Sequence, residues 1–216
     1  MSPSSSFDDE RDERKRWDRK YRESPGSWTV PDPFLTRAFS QYILPLFPRG
    51  GSALDLAGGA GRHSIWLAQQ GWKVTLIDIS ETGVEQARHH AGRFASHIHF
   101  AVDDLTHFNA SQTQLQATSG VMSDATFEGM FEVVIAFFYL ERTIFPEIVK
   151  ALRPGGLLVY KTHTLAHPQL AVGPKNPAHL LKPDELLQLA EGLQILHYRE
   201  EVAKKSTAEL VARKNI

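Results

Sequence analysis

The sequence predicts one α/β domain: a seven-stranded sheet, parallel except for its last strand, with helices on both faces and a helical segment ahead of it. Three observations carry this. From Ser52 onward, short apolar runs alternate with helix-length amphipathic segments, the signature of βαβ units. A glycine-rich turn, Gly58-Gly-Ala-Gly61, stands directly between an apolar run and a helix start. The chain closes with two β-rich segments separated by a short polar turn.

In chain order, Met1–Ser6 are small and polar and read as a disordered tail. Asp8 to Arg22 mix opposite charges over a helical length, and Trp17 and Tyr21 at i,i+4 share one face, so this helix docks through two aromatic anchors. The prolines between Ser24 and Pro33 mark a connector, and Phe34, Leu35, Phe39, Ile43 and Leu44 recur at helical spacing up to Phe47. Strands are expected at Ala53–Leu56, Lys73–Asp78, Ile98–Val102, Phe131–Phe137 and Leu157–Lys161. Helices are expected at Gly61–Gln70, Glu81–Phe94 and Arg142–Leu152. His107–Glu128, rich in Ser, Thr and Gln, reads as a loop with at most a short helix. Pro183–Glu191 reads as a helix, and Leu193–Val202 and Ala208–Arg213 as a hairpin turning at Lys204–Ser206.

Composition narrows the chemistry. The 216 residues, 42% of them hydrophobic, are enough for one core without disulfides or metal staples. With 24 basic against 25 acidic residues, the surface as a whole has no field that gathers polyanions, so nucleic acid is not an expected partner. No cysteine is present, which removes disulfides, thiolate metal sites and cysteine nucleophiles and fits a reducing compartment. The N-terminus lacks an apolar signal core and no apolar run approaches the roughly 18–20 residues of a membrane span. The expectation is a cytoplasmic protein with no membrane partner.

In an open parallel sheet, ligands bind at the carboxyl ends of the strands, where the glycine turn lies. Gly58, Gly59 and Gly61 lack Cβ atoms, so the turn is tight and a ligand can lie against bare backbone. A dinucleotide is the nearest competitor. Its G-x-G-x-x-G fingerprint needs a small third residue where Ser64 stands, and Asp55, just before the glycines, repels a pyrophosphate. The second strand ends in Asp78, about 20 residues past the glycines, where an adenosine site places its ribose acceptor; Ile79 follows it. The third ends in Asp103-Asp104-Leu105, placed to take an adenine amino group while leucine packs on the ring. Three acids at neighbouring strand tips favour a cationic or hydroxyl-rich ligand over a phosphorylated one.

DLAGGAGR, LIDIS, VDDL and LRPGGLLVYK together, over residues 52–163, resemble class I S-adenosylmethionine-dependent methyltransferases. The Arg153-Pro154-Gly155-Gly156 turn, which stops a helix and reverses the chain into the fifth strand, is the most discriminating piece. The resemblance implies a Rossmann-like sheet of order 3-2-1-4-5-7-6 and S-adenosyl-L-methionine as cofactor, with S-adenosyl-L-homocysteine as product. It assigns Asp55, Ala57, Gly59 and Gly61 to the methionine and ribose side, Asp78 to the ribose hydroxyls, and Asp104 with Leu105 to adenine, with Gly58 and Ile79 as further cofactor-binding candidates. The family's usual D-x-G-x-G-x-G has its first glycine replaced here by Ala57, a departure tolerated if φ there stays negative. WDRKYRES, VPDPFL, FFYLERTIFPEIVKALRPGGLLVYKT and NPAHLLKPDEL look like the bacterial subgroup related to tellurite-resistance and thiopurine methyltransferases. That likeness implies an N-terminal lid over residues 7–48, ahead of a cofactor-binding domain over 49–216, with Trp17 and Tyr21 covering the cofactor. Plain docking of a terminal helix is the other reading of those two aromatics.

Phe137, Phe138 and Tyr139 follow the fourth strand, where an acceptor must approach. The expectation is Phe137 against the cofactor and Tyr139 facing the substrate. His163, just past the fifth strand, and Tyr139 are the candidate catalytic groups if the acceptor needs a base. The ten histidines include a His97/His99 pair and a His163/His167 pair, but no third ligand has a recognisable spacing, so no metal is expected. A sulfonium is already activated, so the enzyme chiefly orients a nucleophile and excludes water. A small molecule is the expected acceptor, with soft nucleophiles such as thiols, chalcogens or halides favoured and small acids or alcohols possible. Leu165–His179 reads as a loop that helps close the acceptor pocket. The acceptor motif of DNA base methylation is replaced by Ala136-Phe-Phe-Tyr139, which argues against a flipped base. A nicotinamide-dependent oxidoreductase and a non-catalytic binder of the methyl donor are the alternatives, and a monomer or weak homodimer is the expected state.

Overall fold

The computed structural model describes residues 4–24, 29–111, 126–165, 174, 176–201 and 206–216, with side chains from residue 13 onward. Most of the His107–Glu128 loop, most of Leu165–His179 with His167, and most of the Lys204–Ser206 turn lie outside the described residues.

One seven-stranded sheet runs in the order β3-β2-β1-β4-β5-β7-β6. Its strands are β1 (Ser52–Leu56), β2 (Lys73–Asp78), β3 (Ile98–Val102), β4 (Phe131–Phe137), β5 (Leu152–His163), β6 (Leu193–Glu201) and β7 (Thr207–Lys214). β1 to β5 pair in parallel, whereas β7 is antiparallel to both β5 and β6. Alternation along the strands divides the core. Leu54 and Leu56 face one side with α6 (Phe145–Ala151) and α7 (Glu185–Leu189). Ala53, Val133, Ile135 and Val159 face the other. There they pack with α2 (Pro33–Ala38), α4 (Arg62–Gln69) and α5 (Glu81–Ala91). Helices thus cover both faces of a sheet whose central strands are apolar on both sides.

Several boundaries differ from the sequence reading for local reasons. α1 (Ser4–Glu23) begins inside the stretch read as a disordered tail. α2 continues through a π-helical turn, Phe39–Ile43, into the short α3 (Leu44–Leu46). The segment expected as one helix over Glu81–Phe94 stops at Gly92, whose φ of +49° breaks it, and continues as a 3-10 stretch to His97. α7 begins only at Glu185, after Asp184 in the left-handed region at φ +58°. Glu185 then ties the element down by accepting from Arg142 Nε at 2.7 Å and Nη2 at 3.0 Å.

The Arg153-Pro-Gly-Gly156 segment is a bulge within β5 and not a turn ahead of it. Leu152 pairs with Phe131, the next pair is Val133 with Leu157, and the residues between are looped out. Arg153 Nη1 donates to Glu132 Oε1 at 2.7 Å and holds the loop to β4. A Cβ on Gly156 would stand 3.0 Å from the carbonyl oxygens of Arg153 and Phe131, so any larger residue would push this backbone apart by a few tenths of an ångström. The parallel strands all end at one edge, and that edge carries the candidate site. Among the described residues, no helix is long and apolar enough to cross a membrane.

Candidate functional site

The turn after β1 is built on left-handed backbone. Ala57, Gly59 and Gly61 have φ of +55°, +54° and +82°. The expectation that Ala57 keeps a negative φ is therefore corrected: an L-residue sits where the family pattern carries glycine, at a cost of roughly 1–2 kcal/mol. The glycines mostly meet protein. A Cβ on Gly58 would lie 2.7 Å from Leu76 Cγ, and one on Gly61 2.7 Å from Ala87 Cβ, which is where α4 and α5 touch. A Cβ on Gly59 would fall onto the hydroxyl of Tyr21.

Asp78, at the tip of β2, is the organising acid. It is buried, its Oδ2 accepts from Gly59 N–H at 2.8 Å, and its Oδ1 accepts from Ser80 N–H at 2.8 Å. Burial pushes its carboxyl up to about 6 against the pull of those two amides. Asp55 has a different place. It lies under the turn, accepts from Ser64 Oγ at 2.6 Å, and is pushed up to about 7 chiefly by burial, with the Ser64 bond and the Arg62 charge opposing. Asp104 uses one oxygen to accept from Thr106 N–H at 2.9 Å, capping a 3-10 turn, while Leu105 is buried in the core. Ile79 is half-buried between Asp78 and Ser80.

α1 docks against the start of α5. Asp18 Oδ1 accepts from Ser80 Oγ at 2.6 Å and from Thr82 N–H at 3.0 Å, Arg22 Nη1 donates to Thr82 Oγ1 at 3.2 Å, and Gln86 Nε2 donates to Tyr21 O at 3.0 Å. The Tyr21 ring is buried over Gly59 and Gly83, and burial with the neighbouring Asp78 charge holds its hydroxyl protonated. Trp17 stacks one turn away, 6.0 Å between ring centres, with Lys20 Nζ 4.1 Å above it. Of the two aromatic anchors, Tyr21 is therefore the one that reaches the glycine turn.

The three aromatics that close and follow β4 divide between the two faces of the sheet. Phe137 is buried, 4.2 Å from the His63 ring and 6.2 Å from Phe34 between ring centres. Tyr139 packs on the opposite face of the sheet. There burial, with Glu141, Tyr160, Asp104 and Asp78 nearby, raises its pKa, so it is a neutral phenol. Phe138 and Tyr139 are both half-buried, Phe138 against the same side of the sheet as Phe137 and Tyr139 against the other. The sequence reading puts Phe137 against the cofactor and Tyr139 toward the acceptor; the two side chains lie on opposite faces of the sheet. His163 lies 5.1 Å from the Phe138 ring.

Sequence reasoning passed over a buried ion network beside this rim. Lys161 Nζ is 3.0 Å from both Asp32 Oδ1 and Glu209 Oε1, and Arg37 Nη2 is 3.1 Å from Glu209 Oε2. Asp32 also caps α2, accepting from Phe34 N–H at 2.8 Å. It passed over Asp18, Arg62 and His63 as well. Burial between Arg62 and Lys161 holds His63 well below the usual histidine range, so it stays neutral. The helix-cap pattern Asp32-Pro-Phe was the available signal for Asp32.

The residues fit an adenosine-bearing sulfonium better than a pyrophosphate. Each Asp78 oxygen holds one amide and retains a second lone pair, enough for a pair of ribose hydroxyls, and a buried carboxyl raised to about 6 gains from further donors. Two acids at the turn oppose an anionic ligand there.

Residues 53–156 match the family model described as a methyltransferase domain. The putative methyltransferase YqeM of Bacillus subtilis is 27% identical over 152 residues, covering 64% of this chain and 55% of that protein. The ubiquinone biosynthesis O-methyltransferase of Pasteurella multocida is 30% identical over 118 residues, 52% of this chain and 46% of that one. The chain spans about half the length of these curated relatives. The fold is shared with 1,6-didemethyltoxoflavin-N1-methyltransferase of Burkholderia thailandensis, solved with 1,6-didemethyltoxoflavin and S-adenosylhomocysteine bound. That match has a TM-score of 0.68 at 16% identity and covers 100% of this chain and 93% of the other.

Proposed function

We propose that this chain, which carries a methyltransferase domain over residues 53–156, is a class I S-adenosylmethionine-dependent methyltransferase acting on a small molecule. The observation that carries the reading is Asp78: a buried carboxylate at the β2 tip, braced by the amides of Gly59 and Ser80, facing the glycine turn. When bound, the cofactor supplies a methyl group already activated on a sulfonium. The chain's own residues do the rest. Asp78 accepts from the ribose hydroxyls, and Asp104 with Leu105 borders the adenine. The left-handed turn from Ala57 to Gly61 presents backbone to the methionine portion. Tyr21, carried by α1 and locked by Asp18, closes the site against water as part of an N-terminal lid.

The acceptor side is the rim at Phe138, His163 and Lys161. With Tyr139 held as a neutral phenol, the site lacks a tyrosinate base on the cofactor side, which favours acceptors that arrive already nucleophilic. Within the class, the flanking motifs WDRKYRES and NPAHLLKPDEL favour kinship with the tellurite-resistance and thiopurine subgroup. The cytoplasm is the compartment this chemistry suits.

The test is thermal unfolding with S-adenosylhomocysteine and, separately, NADH. A ligand at 100 times its Kd adds about 2.7 kcal/mol, which for a domain of this size raises Tm by roughly 5–10 °C. S-adenosylhomocysteine is expected to give that shift and NADH none; the reverse pattern rejects the proposal.

A further inference from the structure

The two amides that brace Asp78 belong to residues that α1 holds in place. Asp78 Oδ1 accepts from Ser80 N–H and Oδ2 from Gly59 N–H, each at 2.8 Å. Ser80 is fully buried, and its hydroxyl is committed twice: Oγ accepts from Gly83 N–H at 3.0 Å as the N-cap of α5, and it donates to Asp18 Oδ1 at 2.6 Å. Gly59 lies under Tyr21, whose hydroxyl stands where a Cβ on that glycine would be. Asp18 and Tyr21 are three residues apart on α1 and so share one face. One turn of α1 therefore meets both donors to the carboxylate at the tip of β2.

Asp18 does more here than dock a helix. With Asp18 as its acceptor, the Ser80 hydroxyl points its proton toward α1 and keeps its lone pairs for Gly83 N–H. When that acceptor is removed, a buried O–H loses its partner and Ser80 must turn to find another. The backbone N–H of the same residue moves with it, and Asp78 Oδ1 follows that N–H.

We infer that Asp18 is a positioning residue for the cofactor: through Ser80 it orients the Asp78 carboxylate toward the ribose hydroxyls, and a bound ribose in turn tightens the docking of α1. The second half follows from the first, because coupling between two binding events is reciprocal. The inference rests on the reading of Asp78 as the ribose acceptor, and it needs no contact between Asp18 and the cofactor. A latch with a merely structural role would affect every ligand of the site alike. A positioning residue is felt only by ligands that engage Asp78.

The probes are adenosine and 2′,3′-dideoxyadenosine, which lacks both ribose hydroxyls, measured by ligand-observed NMR on the full chain at pH 8, where Asp78 is ionised. Asp18→Ala is expected to weaken adenosine about fivefold, the low end of coupling between sites. It should change 2′,3′-dideoxyadenosine by less than about twofold, the scatter of independent sites. Asp18→Asn keeps a carbonyl oxygen for Ser80 Oγ and Thr82 N–H and should restore adenosine affinity to within about twofold of wild type. Calorimetry with S-adenosylhomocysteine supplies a second measurement: Asp18→Ala is expected to cost about fivefold in wild type and less than about twofold on top of Asp78→Ala. Equal losses for the two nucleosides, or additive losses in the double variant, overturn the inference and leave the methyltransferase reading standing. If wild type binds the two nucleosides equally well, Asp78 is not the ribose acceptor, and that reading falls together with the inference.

Discussion

Replacing Ala57 by glycine should stabilise this protein, which is unusual for a change that removes a side chain. Ala57 has φ +55°, and left-handed backbone costs an L-residue roughly 1–2 kcal/mol that glycine does not incur. Against this stand the greater chain entropy glycine loses on folding, about 0.5–1 kcal/mol, and the packing of one half-buried methyl, up to about 0.4 kcal/mol at half of a fully buried methylene. The balance is a gain of about 0.5 kcal/mol, or some 1–2 °C in Tm for a domain of this size. The reciprocal change makes the sign unmistakable. Gly59→Ala would keep a φ of +54° and drive a methyl onto the Tyr21 hydroxyl, so strain and displaced packing should together cost more than about 2 kcal/mol. Urea unfolding of the ligand-free protein measures both. A loss of 1 kcal/mol or more in Ala57→Gly, or a neutral Gly59→Ala, would show that the turn does not have this backbone.

Other consequences follow from the same geometry. Lys161→Met leaves Asp32 and Glu209 buried and short of a cation, and should cost about 3–5 kcal/mol in the same unfolding assay. Asp18→Ala removes the acceptor for Thr82 N–H and Ser80 Oγ. At about 0.5–2 kcal/mol for such a cap, α1 should open 2- to 30-fold more often, read as faster tryptic cleavage within residues 14–22. Burial raises Asp55 to about 7 and Asp78 to about 6 from 3.8, so between about pH 4 and 7 the folded state holds protons that the unfolded chain has released. Those two groups therefore make stability fall as pH rises through that window and level off above it. His63, kept neutral, acts in the opposite direction below about pH 6.5. The difference between wild type and Asp55→Asn isolates the carboxyl: that difference should shift against wild type as pH rises from 5 to 7.5, and a flat difference would contradict it.

Periodicity and punctuation made the scaffold legible. Each β-run from Ala53 to Leu157 is short, apolar and bounded, and the glycine turn fixes where the sheet's functional edge begins. Two things were hidden because they depend on long-range packing. The Arg153–Gly156 segment reads locally as a turn, and only its pairing across to Phe131 and Val133 makes it a bulge inside a longer strand. Ala57 reads as an ordinary small residue, and nothing in its side chain discloses a positive φ. The position of Asp78 was legible, at the end of its strand and beside the glycine turn. The site was opaque where the partners are distant in sequence: Asp18 with Thr82, Lys161 with Asp32 and Glu209, and the division of Phe137 and Phe138 from Tyr139 between the two faces of the sheet.

Titration calorimetry of S-adenosylhomocysteine into wild type and Asp78→Ala addresses the central claim most directly. A ribose held by that carboxylate is worth about 1.5–3 kcal/mol per charged hydrogen bond, so the variant should bind more than tenfold more weakly while remaining folded. Equal affinities in the two proteins would place the nucleoside elsewhere and contradict the account.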